Sequence, residues 1–168
     1  TPKFTLGFES PLIGLFPLAL LVPLSKSREE WIEVLKGLGL GILGIIGIAV
    51  TAMLIGAIKI DLNLPSHYEL RLLANLIFTC IPEEGFYRGY VQNRLTSYLG
   101  NWGALFLTSA LFTATHLLWS SSPAILAFAF IASLLYGVVY LYSRRIESAI
   151  LTHFLLNWVH ITFFYYAN

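Results

Sequence analysis

CIPEEGFYRGY, residues 80–90, is the stretch that decides how this chain is read. It sets Glu83, Glu84 and Arg88 directly after the apolar run LLANLIFT, residues 72–79. The same tension runs through the whole chain. Of its 168 residues, 57% are hydrophobic and 11% are charged. Soluble domains carry roughly 25% charged residues, so this composition points to a protein whose outer surface meets lipid. The length suits one domain, residues 1–168. A net charge of +1 gives no signal for a nucleic-acid partner. Cys80 is the single cysteine, so no internal disulfide forms.

A helix needs about 20 predominantly apolar residues to cross the hydrocarbon core. Six stretches qualify, and the expected fold is an all-α, polytopic membrane bundle of about six transmembrane helices. The first, residues 8–24, is interrupted by Pro11, Pro17 and Pro23. It lacks a basic leader and a small-residue cleavage site, so it does not read as a signal peptide. The second is residues 34–58, where Gly37, Gly41 and Gly44 mark a face for close helix approach. Residues 59–69 read as a loop. The third stretch, 68–99, holds the opening motif, and Pro82 is placed to kink it. A turn signal around Gly100–Asn101 separates it from the fourth, 102–119. The fifth and sixth are 123–142 and 147–166. Lys26, Arg28, Lys36, Arg94, Arg144 and Arg145 fall in or beside the connections after spans one, three and five. By the positive-inside rule those connections are cytoplasmic.

Ionisable groups inside spans carry the functional signal, because each costs roughly 3 kcal/mol to insert. They are Glu83, Glu84, Arg88, His116 and His153, with Asn157 beside them and His160 nearer an end. Glu84 and Arg88 are one helical turn apart and are expected to pair. Glu83 then points about 100° away, free for another task. Glu83 and His116 lie at similar distances from the Gly100 turn, which predicts one depth for both. His153 is only about eight residues beyond Arg145, so counting at 1.5 Å per residue places it shallower by ~10 Å, and a shared site then needs tilted helices or a hairpin turn that projects past the membrane face. Taken singly, each has a plainer reading: a structural ion pair for Glu84–Arg88, and hydrogen-bonding glue between helices for His116 and for His153–Asn157. Their conjunction is too costly for packing alone.

The residue types narrow the chemistry. Asp61 is the only aspartate, so no aspartyl dyad exists. Ser109 and Ser133 sit in ordinary helix, Ser120–Ser122 sit in a loop, and no H-E-x-x-H motif occurs. A carboxylate and a histidine remain to activate water, with a second histidine and an amide to donate to an oxyanion. A metal held by Glu83, His116 and His153, with zinc as the candidate, is the competing version.

Three motifs occur in order: Glu83-Glu84-Gly-Phe-Tyr-Arg88, Phe112-Thr-Ala-Thr-His116 and His153-Phe-Leu-Leu-Asn157. Together they resemble the CAAX-prenyl-protease and bacteriocin-processing family of membrane endopeptidases, also called the Abi family, over residues 70–160. The resemblance implies a helical bundle around a water-accessible cavity. It implies hydrolysis of a peptide bond near the C-terminus of a peptide or of a membrane-associated substrate, prenylated in some members. It implies Glu83 and His116 as the groups that activate water, His153 and Asn157 as the oxyanion donors, and Glu84–Arg88 as their support. No cofactor is required on this reading. The chain is shorter than the eukaryotic prenyl-protein proteases, which places it with bacterial or archaeal members of the cytoplasmic membrane. Its partners are then the lipid bilayer and the substrate. Two other readings stay open: a non-catalytic immunity or scaffold protein of the same fold, and a carrier that binds haem or a metal through His116 and His153.

Overall fold

A computed structural model describes residues 22–61, 64, 66–118 and 120–166. Nearly all of the expected first span, 8–24, therefore lies outside the described residues. Helix α1 (Arg28–Leu54) starts earlier than the apolar run because it is capped. The Ser27 hydroxyl accepts from the Glu30 backbone N–H, and the Glu30 carboxylate accepts from the backbone N–H groups of Ser27 and Lys26. Such reciprocal capping satisfies donors that a helix start leaves open. The helix also stops before the apolar run does. Gly56 at φ 71° turns the chain, and strand β1 (Ile58–Ile60) follows. The expected loop at 59–69 thus begins inside a strand. Its partner is β2 (Phe164–Tyr166), antiparallel, with Lys59 opposite Tyr165. This two-stranded ribbon is the departure from an otherwise helical fold.

The third expected stretch is a compound rod. It runs through α2 (Tyr68–Asn75), a π-helical turn (Leu76–Cys80), α3 (Ile81–Glu84) and a second π-helical segment (Gly85–Gln92) into α4 (Asn93–His116). Proline has no N–H to donate back along a helix. A wider π turn placed just ahead of Pro82 accommodates that missing bond without ending the rod. Inside α4, Gly100 adopts φ 67° and ψ 177°, a conformation open only to glycine, and the chain reverses there. The two arms run antiparallel, since the rings of Tyr87 and Phe112, almost equidistant from Gly100, meet at 5.0 Å. Helix α5 (Pro123–Ser143) opens with proline at its first position, and α6 (Ile146–Phe163) follows a two-residue turn with Arg144 at φ 57°.

The glycines of α1 set its distance from the neighbours. A Cβ on Gly37 would stand 2.7 Å from Ser143 and Ser148, one on Gly41 would enter the Thr152 side chain, and one on Gly44 would enter Leu135. The backbones touch there, and Ser148 donates to the Val34 carbonyl at 3.2 Å. Gly39 and Gly47 face open space. Arg145 and Glu30 pair at 2.7 Å, which brings the α5–α6 turn and the start of α1 to one end of the bundle. Two of the basic connections counted in the sequence meet there.

Among the described residues, α1 and α5 are long and apolar enough to cross a membrane. Their outward faces are apolar: Leu43 is 69% exposed and Leu54 82%. Lipid, not water, is the solvent that suits such a surface. The chain is an integral membrane protein.

Candidate active site

Four elements converge on the polar set. Glu84 and Arg88 are both fully buried. The Arg88 guanidinium donates to Glu84 Oε1 at 3.2 Å, and its other terminal nitrogen donates to the carbonyl and the hydroxyl of Ser133 at 2.5 and 2.6 Å. Its central carbon lies 5.4 Å from the ring centres of Phe112 and Tyr136, so aromatic faces complete its surroundings. A buried arginine with a planar fork can meet several partners at once. This one ties the π segment to α4 and α5.

Glu84 has a second partner that the sequence did not disclose. His153 Nδ1 lies 2.8 Å from Glu84 Oε1. The depth expectation for His153 is therefore overturned. Glu84 stands 16 residues before Gly100, about 24 Å along a helix, whereas His153 is seven residues into α6, about 10 Å. The two meet all the same, so equal counting from the two turns does not give equal depth in this bundle. Tyr98 and Trp102, 73% and 66% exposed, flank the Gly100 reversal.

The hydrogen bonds fix both imidazoles. A carbonyl oxygen only accepts, so His116 Nδ1, 3.0 Å from Phe112 O, carries its proton and leaves the Nε2 lone pair available. His153 Nδ1 likewise donates to the Glu84 carboxylate, and its ring stacks on Tyr136 at 4.5 Å and 15°. Phe112 stands between the histidines, 4.7 Å from His116 and 6.2 Å from His153. That is the role of the aromatic residue in the second motif: it spaces the two rings and closes one side of the arginine.

Glu83 is placed differently from its neighbour. It is half-buried and, among the described residues, takes part in no hydrogen bond or ion pair. It lies within electrostatic reach of His153, Glu84, His116 and Arg88. Asn157 is one turn beyond His153 on α6. Its Nδ2 donates to Asn75 Oδ1 at 3.3 Å and approaches Cys80 Sγ at 3.8 Å.

Beside these groups is a cavity of about 170 Å³. His116, His153, Asn157 and His160 reach it from α4 and α6, and Ile45, Ile48, Ala49 and Ala52 of α1 give it an apolar wall. A family model described as type II CAAX prenyl endopeptidase Rce1-like matches residues 65–159, more than half of the chain. The chain belongs to the Rce1-like family. This is the protease family that the three motifs resembled. Neither a curated protein nor a solved structure matches the chain.

The Rce1-like match covers all three motifs, but not His160 or the α1 wall of the cavity. It also covers residues that the motif reading passed over. Asn75, Cys80, Ser133 and Tyr136 each touch a motif residue. Asn75 had a signal, since it is an amide inside the apolar run LLANLIF. Ser133 and Tyr136 had none, because serine and tyrosine are ordinary in such helices. Among the described residues, no three His, Cys, Asp or Glu side chains converge as a metal-holding group. Glu83, His116 and His153 do not form such a set.

Proposed function

We propose that this Rce1-like protein is an intramembrane endopeptidase in which Glu83 activates water. The observation that carries the reading is the division between the two glutamates. Glu84 is engaged by Arg88 and His153, and Glu83 is left unpaired among charged site groups. In the proposed step, Glu83 takes a proton from water as the water oxygen attacks the peptide carbonyl. His116 Nε2 accepts the second O–H of that water and orients it. The developing oxyanion receives hydrogen bonds from Asn157 Nδ2 and His153 Nε2. Because Nδ1 of His153 already donates to Glu84, Nε2 donates from the doubly protonated ring, with the Glu84 carboxylate as its counter-charge. Collapse breaks the C–N bond, and Glu83 returns its proton to the leaving amine.

The substrate is a peptide bond near the C-terminus of a membrane-associated chain. The apolar α1 wall of the cavity suits a lipid group carried by that substrate. Six membrane passes and a place in a prokaryotic cytoplasmic membrane belong to the same reading. The test is cleavage of fluorogenic C-terminal peptides, prenylated and unmodified, by wild type, Glu83→Gln and His116→Ala. Cleavage by wild type that falls by about 10²-fold or more in each variant supports the reading. Equal background from all three overturns it and leaves a non-catalytic scaffold of the same fold.

A further inference from the structure

We propose that Asn75 is a positioning residue that sets which end of the Asn157 amide faces the substrate. The inference rests on the peptidase reading above and assigns a part to a residue outside its three motifs.

The arrangement begins with the backbone. Asn75 and Cys80 are five residues apart, and in an α-helix they would point in directions about 140° apart. The intervening turn, Leu76–Cys80, is π-helical and bonds residue i to i+5. That geometry returns Cys80 to the face of Asn75, and the Cys80 thiol donates to Asn75 Oδ1 at 3.2 Å. The same oxygen accepts from Asn157 Nδ2 at 3.3 Å. Asn75 Oδ1 thus receives two donors, one from its own rod and one from α6.

This pair of bonds decides an orientation. An asparagine amide has a donor end and an acceptor end of nearly equal size. Were Asn157 turned over, its oxygen would face the Asn75 oxygen, two acceptors without a proton between them. With Nδ2 toward Asn75, one proton is held by Asn75. The other faces only the Cys80 sulfur at 3.8 Å, a weak acceptor that a developing oxyanion displaces readily. Asn157 also lines the cavity. The unheld side of its NH₂ group is the part an oxyanion needs. The reversed amide would present an acceptor there and repel it.

The experiment uses the full chain in bicelles, with Asn75→Leu and Asn75→Asp. Leucine has similar size and no acceptor, and aspartate restores the acceptor oxygen. Kinetically, Asn75→Leu lowers kcat by about 10-fold or more, part of what loss of a whole oxyanion donor causes, with KM within about two-fold. Asn75→Asp recovers most of that loss. Equal kcat for Asn75→Leu and wild type overturns the proposal. Equal loss in Asn75→Leu and Asn75→Asp also overturns it, since the restored acceptor oxygen then does nothing. A second readout is independent of cleavage. The side-chain ¹⁵N–¹H₂ resonances of Asn157, identified by their disappearance in Asn157→Asp, shift in Asn75→Leu and return toward wild type in Asn75→Asp. Unmoved resonances in Asn75→Leu contradict the contact. If wild type cleaves none of the peptides, the peptidase reading fails, and the resonances still decide whether Asn75 orients Asn157.

Discussion

Replacing Arg88 by methionine removes the one cation that neutralises Glu84 from within its own rod. The magnitude follows from burial. Both side chains are completely shielded, and removing one partner of a buried ion pair typically costs about 3–5 kcal/mol because the other charge is left without compensation. Arg88 also satisfies the Ser133 carbonyl and hydroxyl, so the upper half of that range is expected. Glu84→Gln strands the guanidinium in turn and falls in the same range. The double variant Glu84→Gln/Arg88→Met removes both members of the pair together, and replacing a whole pair by neutral groups of similar volume is often close to neutral. Its cost is therefore well below the sum of the single costs, by about 3 kcal/mol. Reversible unfolding of the four proteins in mixed micelles measures this cycle. Additive single costs, or an Arg88→Met protein as stable as wild type, would refute the ion-pair assignment.

Three further outcomes follow from the packing. Gly41→Ala drives a methyl group into the Thr152 side chain and lowers unfolding stability by about 1–3 kcal/mol. Gly47→Ala meets open space and is neutral or stabilising by up to about 1 kcal/mol; the same denaturation assay separates them, and an equal response would mean that α1 is turned differently about its axis. Gly100→Ala forces a Cβ into a glycine-only conformation and costs about 1–3 kcal/mol, visible as a lower melting temperature. Ser133→Ala removes one of the two acceptors on a single Arg88 nitrogen and costs about 1–3 kcal/mol, the range for hydrogen bonds to charged groups, again read from unfolding.

What could be read in advance was mostly periodic or expensive. Apolar length disclosed the long helices, and Gly100–Asn101 disclosed the reversal. Gly37, Gly41 and Gly44 disclosed a close contact, though not that Gly37 meets both α5 and α6, Gly41 α6 and Gly44 α5. The cost of burying charge disclosed Glu83, Glu84, Arg88 and the histidines. Three features escaped. The contact between Glu84 and His153 depends on how three helices are offset and tilted against one another, which no single segment carries. The π turns shift side-chain direction by tens of degrees, and a sequence read at 100° per residue cannot contain the Asn75–Cys80 pairing. The ribbon of β1 and β2 joins residues more than 100 positions apart, and each strand alone reads as the end of an apolar helix.

The central claim is that the adjacent glutamates have separate tasks, Glu83 in chemistry and Glu84 in structure. Measuring unfolding stability and kcat on the same preparations of Glu83→Gln and Glu84→Gln tests it most directly. Glu83 carries no hydrogen bond or ion pair among the described residues, so Glu83→Gln should unfold within about 0.5 kcal/mol of wild type while its kcat drops by about 10²-fold or more. Glu84→Gln should lose stability by several kcal/mol. A Glu83→Gln protein that cleaves at the wild-type rate, or that is destabilised as much as Glu84→Gln, would contradict the account.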